Sequence, residues 1–407
     1  MIEGEPGTLY SEPRRRPLGE RPGLRTFRRA GFRSLVAATL LVIAVGLLAA
    51  LLARQAADPA GQYGIDFAYW HKAAGDVAAG RSPYPARYLD GPVVATDFGY
   101  KYPPTFAQAL LPLAGLPLSA AAGIWVVLQV GVSFAAVWLA GSYGGARPSV
   151  ERLLWSGVAT ALFLPMWDSV WKGNVSAVQA FQLALVLGGG AVAGASLASA
   201  ILLKTTPLAL APAAVLRGGR ILRATLATGL AVFVLSALAA PQAWLDFIRI
   251  QPNLLTGPAT SPTNLAPASM VAGAAPDLPA VAGVVRALTL LVGVMAVVWS
   301  LLLARRSGGW PAAVLLGTVA ILVVPGVIWY HYLAMLLPFA AFAWPRASVQ
   351  QRWWLISAAA AITIGLAWLP LAALGAAALI VVSLRVLIPP ASRSSAFSSN
   401  HELVESE

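Results

Sequence analysis

Cysteine is absent from this 407-residue chain, so neither a disulfide framework nor a thiol nucleophile is available to it. Histidine occurs three times, at His71, His331 and His401, too few for a zinc site built mainly from imidazoles. Carboxylate-bound metals stay open on composition alone, but nothing in the sequence asks for a metal or a cofactor. Charge is scarce as well: only 11% of residues are charged, and lysine occurs four times, at Lys72, Lys101, Lys172 and Lys204. No Walker loop, dinucleotide fingerprint or serine-nucleophile elbow is present, and the glycines of "LGGGAVAG" (187–194) lack the spacing of one. What remains is apolar. With 58% hydrophobic residues and a mean hydropathy of +0.73, no soluble core could hide this composition and keep a polar surface. An all-α, polytopic membrane protein is expected. The net charge of +12 comes from arginines clustered between apolar runs, the pattern of cytoplasmic flanks, with no basic face interleaved with aromatics. The lipid bilayer is the expected partner, and nucleic acid is not.

Residues 1–33 are polar, rich in Pro and Arg and without apolar periodicity, which predicts a disordered basic cytoplasmic tail. The first span, 34–53, follows too long a polar head for a cleaved signal, so an uncleaved anchor is expected. Residues 54–104 then form an extracytoplasmic loop. Residues 105–118, punctured by Pro112 and Pro117, predict a short re-entrant or interfacial piece before a full span at 119–141. Further spans are predicted at 153–166 and 175–190. Residues 191–216 could cross once, but that would leave Arg217, Arg220 and Arg223 outside; two short helices turning at Lys204 restore the charge rule. Spans at 222–240, 278–304, 310–328, 329–343, 353–369 and 371–388 bring the total to about twelve crossings. Both termini are then cytoplasmic, residues 391–407 form a second tail, and 34–390 is one transmembrane domain. In this arrangement all eight Glu fall on the cytoplasmic side, whereas all eight Asp and all four Lys fall outside or within the membrane. Acidic residues barely influence insertion, so their segregation is a separate pointer to chemistry on the outer face.

"GIDFAYWHKAAGDVAAGRSPY" (64–84) places Asp66, His71, Lys72, Asp76 and Arg81 close together in a chain poor in charge. Asp66 stands among Ile65, Phe67, Ala68, Tyr69 and Trp70, where the loop meets the membrane boundary. Partial desolvation makes a carboxylate more basic, which suits a general base for a sugar hydroxyl; an N-cap for a helix starting at Phe67 explains the residue equally well. "YKYPPTF" (100–106) sets Lys101 beside two prolines, as a snorkelling lysine or a phosphate ligand. "WDSVWKGN" (167–174) carries Asp168, Lys172 and Asn174 in a tight outer turn. Lys204, in an otherwise apolar run with Thr205 and Thr206, is costly in a membrane unless an anion or water meets it. "VIWYHYLAMLLP" (327–338) puts His331 among Trp329, Tyr330 and Tyr332, either in an aromatic belt or where a charged imidazole can steady an anionic leaving group.

In this order, "IDFAYW", "GRSPY", "YKYPP" with "LPLAGLPL", "KGN", "LLKTTP" and "WYHY" resemble glycosyltransferase family 87, over residues 34–390. That family comprises polyprenyl-phosphate-mannose-dependent alpha-1,2-mannosyltransferases with the GT-C membrane fold. The resemblance implies inverting transfer of mannose from a lipid-linked phosphate donor to a glycolipid or lipoglycan on the outer face of the cell membrane. It implies Asp66 as general base and His331 as the late catalytic histidine, where many members carry two adjacent histidines and this chain has Tyr330 before one. Lys204 corresponds to the mid-chain lysine at the donor phosphate, with Lys172 and Lys101 as further candidates. Arg81 or Asp97 would order the outer loop, with Tyr84, Tyr102, Asn174 and Tyr330 near the substrates. A lipid-linked arabinofuranose or another hexose could replace mannose on the same fold. A transporter or lipid flippase is the alternative of a different class, since broken helices around a buried lysine also describe substrate pathways.

Overall fold

A computed structural model of the chain describes residues 24–56, 63–93, 99–256, 261 and 263–388. Asp58, Asp97, the far tails and residues 257–260 and 262 lie outside these residues. Every regular element described is helical, as a bilayer requires of any chain that must satisfy its backbone polar groups internally. Helix α1 (Leu24–Ala56) begins inside the expected tail, so residues 24–33 are helical. Four short helices follow: α2 (Ile65–Ala78), α3 (Ala86–Asp90), α4 (Pro104–Ala109) and α5 (Leu111–Ala114). Next come α6 (Leu118–Tyr143), α7 (Val150–Leu162), α8 (Leu164–Lys172), α9 (Ser176–Leu187) and α10 (Gly190–Leu203). A 3-10 turn (Thr206–Leu210) leads into α11 (Ala211–Arg217), α12 (Gly219–Ala239), α13 (Pro241–Thr256), α14 (Pro267–Ala274), α15 (Pro279–Ala304) and α16 (Trp310–Val323). A 3-10 segment (Tyr330–Leu336) then precedes α17 (Leu337–Ala343), α18 (Val349–Ile364) and α19 (Leu369–Leu387).

Among the described residues, five helices are long and apolar enough to cross a membrane: α1 over Gly31–Ala50, α6, α12, α15 and α19. Counting the bent pair α7–α8 as one span makes six, against about twelve crossings expected with several of them short or broken, and four further apolar helices are shorter. The reason is length. Helix α16 has 14 residues and α9 has 12, short of the roughly 20 that a straight span needs, and protein encloses most of both. An apolar run reads the same whether lipid or protein covers it. Proline explains the breaks. Pro165 has no N–H and would clash with the last turn of α7, and the axis bends by 65° there.

The chain does reverse at Lys204. Helix α10 ends on this residue in extended conformation, and α11 returns until Arg217 donates to the Ala304 carbonyl at the end of α15. The Leu202 carbonyl, near the break, accepts from the Thr105 hydroxyl of α4, so the opened helix end stays satisfied.

The two ends of the molecule differ in chemistry. At one end Arg152, Arg217, Arg346 and Arg352 donate to free backbone carbonyls, several at the C-termini of α6, α15 and α17. At the other end a compact aromatic cluster forms from Phe67, Trp70, Tyr84, Tyr100, Phe106 and Trp125. It joins α2, α4 and α6 and carries the candidate site on its inner side. The larger core runs through α9, α16 and α17 below it.

Candidate active site

Helix α2 is held by its first turn. Its N-cap is Gly64 in left-handed conformation (φ 67°), with no side-chain capping bond, and the Gly64 N–H donates to the Trp171 carbonyl at 2.8 Å. Asp66 is therefore not the cap; it sits at the second helical position, partly buried, with its carboxylate free to point elsewhere. It points to Asn174. The Asn174 Nδ2 donates to Asp66 Oδ2 at 2.6 Å, across 108 residues of sequence.

Asn174 has little choice of orientation. Its Oδ1 accepts from the backbone N–H of Ser176 at 3.1 Å and from the Ser176 hydroxyl at 2.9 Å, which turns the amide nitrogen toward Asp66. Its own N–H donates to the Ser169 carbonyl at 2.7 Å. The preceding Gly173 makes the approach possible. It has φ 73°, and a Cβ there would lie 2.6 Å from Phe67 Cβ, so only glycine lets this turn press against α2. Trp125 secures the same turn by donating from its indole N–H to the Gly173 carbonyl at 2.7 Å. "KGN" is thus a joint between two helices.

A second carboxylate, Asp168 of α8, ties a lysine and a histidine together. Lys172, one turn later, meets it at 3.1 Å and donates to Oδ2, and His331 Nδ1 lies 3.0 Å from the same oxygen. The carboxylate accepts, so Nδ1 carries the proton and Nε2 faces away; Nε2 is buried without a hydrogen-bond partner. His331 itself is only 2% exposed.

Lys204 completes the group. Its ammonium is buried without a hydrogen-bond acceptor and lies 3.7 Å from the centre of the Tyr332 ring. The charge of Asp66 acts directly on Lys204, His331, Tyr102 and Tyr332, so these side chains share one neighbourhood. The Tyr102 hydroxyl lies against the Asn174 side chain, and its ring is 5.8 Å from the Lys204 ammonium. Thr206 contributes a buried hydroxyl without a partner. The site therefore combines one oriented carboxylate, two cation-capable groups with unused donors, and aromatic walls. That set can accept a proton and hold an anion.

The other charges of the opening segment have different partners. His71 Nε2 lies 3.1 Å from the Leu113 and Leu116 carbonyls and fastens α5. Lys72 and Arg81 both pair with Asp76, at 2.6 and 2.7 Å. Arg81 thus closes the loop at the far end of α2, about 15 Å along the helix from Asp66, and does not join its group. Tyr84 donates to the Tyr102 carbonyl at 2.8 Å and braces the strip leading into α4. The Lys101 ammonium stands 5.5 Å over the Tyr88 ring in the outer cluster. Tyr330 donates to the carbonyls of Ile362 and Thr363 in α18, so its hydroxyl serves packing.

Two residues of the group escaped the sequence reading as site members. Asp168 had a visible signal, since a carboxylate four residues before Lys172 on a helix is an ion pair in waiting. Tyr332 had none beyond its place in an aromatic motif.

Neither the curated proteins nor the solved structures searched contain a match to this chain. Residues 100–325, more than half of the sequence, match the family described as Glycosyltransferase family 87. The matched region contains Tyr102, Asp168, Lys172, Asn174 and Lys204, whereas Asp66 and His331 lie beyond its limits. Folding returns both to it, Asp66 on Asn174 and His331 on Asp168. A multi-pass helical chain with a carboxylate and cationic groups gathered at one end of the bundle, matched over this span, belongs to glycosyltransferase family 87, the membrane glycosyltransferases.

Proposed function

We infer that the chain transfers mannose from polyprenyl-phosphate-mannose to a hydroxyl of a glycolipid or lipoglycan acceptor, with inversion, at the extracytoplasmic face of a GT-C-type fold. The observation that carries this reading is the buried Lys204 ammonium, which no protein group accepts from, between the Tyr102 and Tyr332 rings, with Tyr102 beside the Asn174 that orients the Asp66 carboxylate. An unpaired ammonium in an apolar setting calls for an anion, and a lipid phosphate is one.

In this mechanism Asp66 removes the proton of the acceptor hydroxyl as that oxygen attacks the anomeric carbon. The bond between the anomeric carbon and the phosphate oxygen breaks, and its electron pair leaves with the polyprenyl phosphate. Lys204 and the Nε2–H of a protonated His331 then stabilise the phosphate, and Asp168 stabilises the imidazolium through Nδ1. Lys172 shares the Asp168 carboxylate and adds positive charge beside it. A phosphate leaving group needs this stabilisation more than it needs protonation. The bilayer holds both lipid substrates at one depth, so much of the rate comes from positioning.

Purified protein in detergent, supplied with polyprenyl-phosphate-mannose and a glycolipid acceptor, tests this directly. Transfer without any ion gradient is expected, and Asp66→Asn should lower kcat by roughly 100-fold or more. Near wild-type transfer by Asp66→Asn would reject the base. Lys204→Met should raise KM for the donor more than for the acceptor; an effect confined to the acceptor would remove the lysine from the phosphate. Replacing the donor by polyprenyl-phosphate-arabinose in the same assay tests the sugar.

A further inference from the structure

Arg286 stands apart from the arginines at the basic end. It lies in α15 about 10 Å from the helix start, within an apolar span. Helix α15 runs antiparallel to α16: Arg286 donates to the Val324 carbonyl at 2.6 Å near one end, and Ser300 to the Ala313 carbonyl at 2.8 Å near the other. Val324 leads within a few residues to His331, so Arg286 belongs to the same end of the bundle as the candidate active site. Its neighbours Val284, Leu288 and Leu291 are more than half exposed, as expected of a surface in contact with lipid.

One of the five guanidinium N–H donors reaches Val324. Among the described residues, no carboxylate lies within ion-pair distance of Arg286 and no other acceptor meets it. A partly buried cation of this kind is costly at membrane depth without an anion. Beside it runs a groove of about 310 Å³ between α14, α15 and the end of α16. Its walls are mostly Ala266, Ala272, Ala282, Gly283 and Val323, short apolar residues that leave room for a hydrocarbon chain. Cation and apolar channel together match an amphiphile with an anionic head.

We propose that this groove binds an anionic membrane phospholipid, with its phosphate oxygens on the Arg286 guanidinium and an acyl chain along the alanine and glycine wall. The planar fork of arginine suits two phosphate oxygens at once. Gly326 belongs to the groove, and its carbonyl accepts from Asn264 Nδ2 at 2.8 Å. Asn264 Oδ1 in turn accepts from the Ile328 N–H at 2.8 Å. A lipid seated there would brace the segment that carries His331 into the active site, without itself being a substrate.

The test is lipid binding, which does not depend on any transferase assay. Delipidated protein in detergent is titrated with phosphatidylglycerol and read by native mass spectrometry, with phosphatidylcholine and glycerol 3-phosphate as controls. Wild type should bind one phosphatidylglycerol more tightly than Arg286→Gln by about tenfold or more. Gly283→Leu retains the arginine and fills the groove, and a Cβ at this position meets nothing within 4 Å, so the helix tolerates it. It should also lose that lipid. Phosphatidylcholine should bind the site more weakly, and glycerol 3-phosphate should not displace the lipid. Equal phosphatidylglycerol binding by wild type and both variants would overturn the assignment. Displacement by glycerol 3-phosphate would replace it with a site for free phosphate.

Discussion

Asp168 has two partners on one carboxylate, a lysine and a histidine, and the two have different consequences. Lys172 neutralises it along its own helix, whereas His331 arrives from 163 residues away and acquires a fixed ring orientation. A histidine that must present Nε2 to a ligand needs its other nitrogen held, as metal-bound and catalytic imidazoles do. Asp168→Asn preserves shape and removes the charge that supports an imidazolium. We expect kcat to fall roughly 10- to 100-fold, with a changed kcat–pH profile and little change in thermal stability. An unchanged profile would reduce Asp168 to a packing role.

Asp76 gives a second prediction at this scale. Burial raises its carboxyl, but the hydrogen bonds and charges of Lys72 and Arg81 outweigh burial and hold it below the ordinary carboxylate value. The folded protein therefore binds this proton less readily than the unfolded chain. The stabilisation is complete above the unfolded value and disappears as pH falls through the lower folded one. Thermal unfolding in detergent should show the wild type losing stability below about pH 4 more steeply than Asp76→Asn. Parallel acid profiles would mean that the two ion pairs contribute nothing to stability.

At the scale of elements, the site depends on junctions more than on helices. Apart from Asp168, inside α8, its main side chains lie at a helix end, a break or a 3-10 segment: Asp66 in the first turn of α2, Lys204 at the end of α10, His331 between α16 and α17. Such places free side chains from a helix face and let several elements converge. The tightest junction is Gly173 against Phe67. Gly173→Ala forces a β-carbon into 2.6 Å contact at a φ of 73°, where an L-residue already costs about 1–2 kcal/mol. The turn and α2 must then separate, which stretches the Asn174–Asp66 hydrogen bond. A lowered unfolding temperature together with a loss of transfer larger than that of Asn174→Ala is expected. Wild-type stability in Gly173→Ala would show that the joint is looser than the structure has it.

For the whole molecule, the issue is which end faces out. The arginine-capped helix ends and the carboxylate-bearing end are separated by the length of α15, about 39 Å, enough to cross a bilayer. On the positive-inside rule we propose that the arginine end is cytoplasmic and the site lies outside. The absence of cysteine makes this simple to check, because one introduced thiol is the sole target of a membrane-impermeant maleimide. Ala79 and Ser307 are both exposed, one after α2 and the other between α15 and α16. In intact cells Ala79→Cys should label and Ser307→Cys should not until the membrane is opened. The reverse pattern would put the candidate site in the cytosol and remove it from any lipid-linked donor presented outside.

The sequence by itself determined the solvent this protein folds in, the reversal at Lys204, the short broken helices before α6 and the identity of the unusual charges. Each of these is a local property: the length of an apolar run, a proline, or a lysine where none is affordable. It could not determine how many apolar runs face lipid, because a run buried in protein is equally apolar. Nor could it sort the charges of the first outer segment, where Lys72, Asp76 and Arg81 bind one another and Asp66 alone turns inward. Partners lie 108 residues away for Asp66 and 163 for His331. Orientation, desolvation and pairing are properties of such contacts, and only the packed tertiary structure creates them.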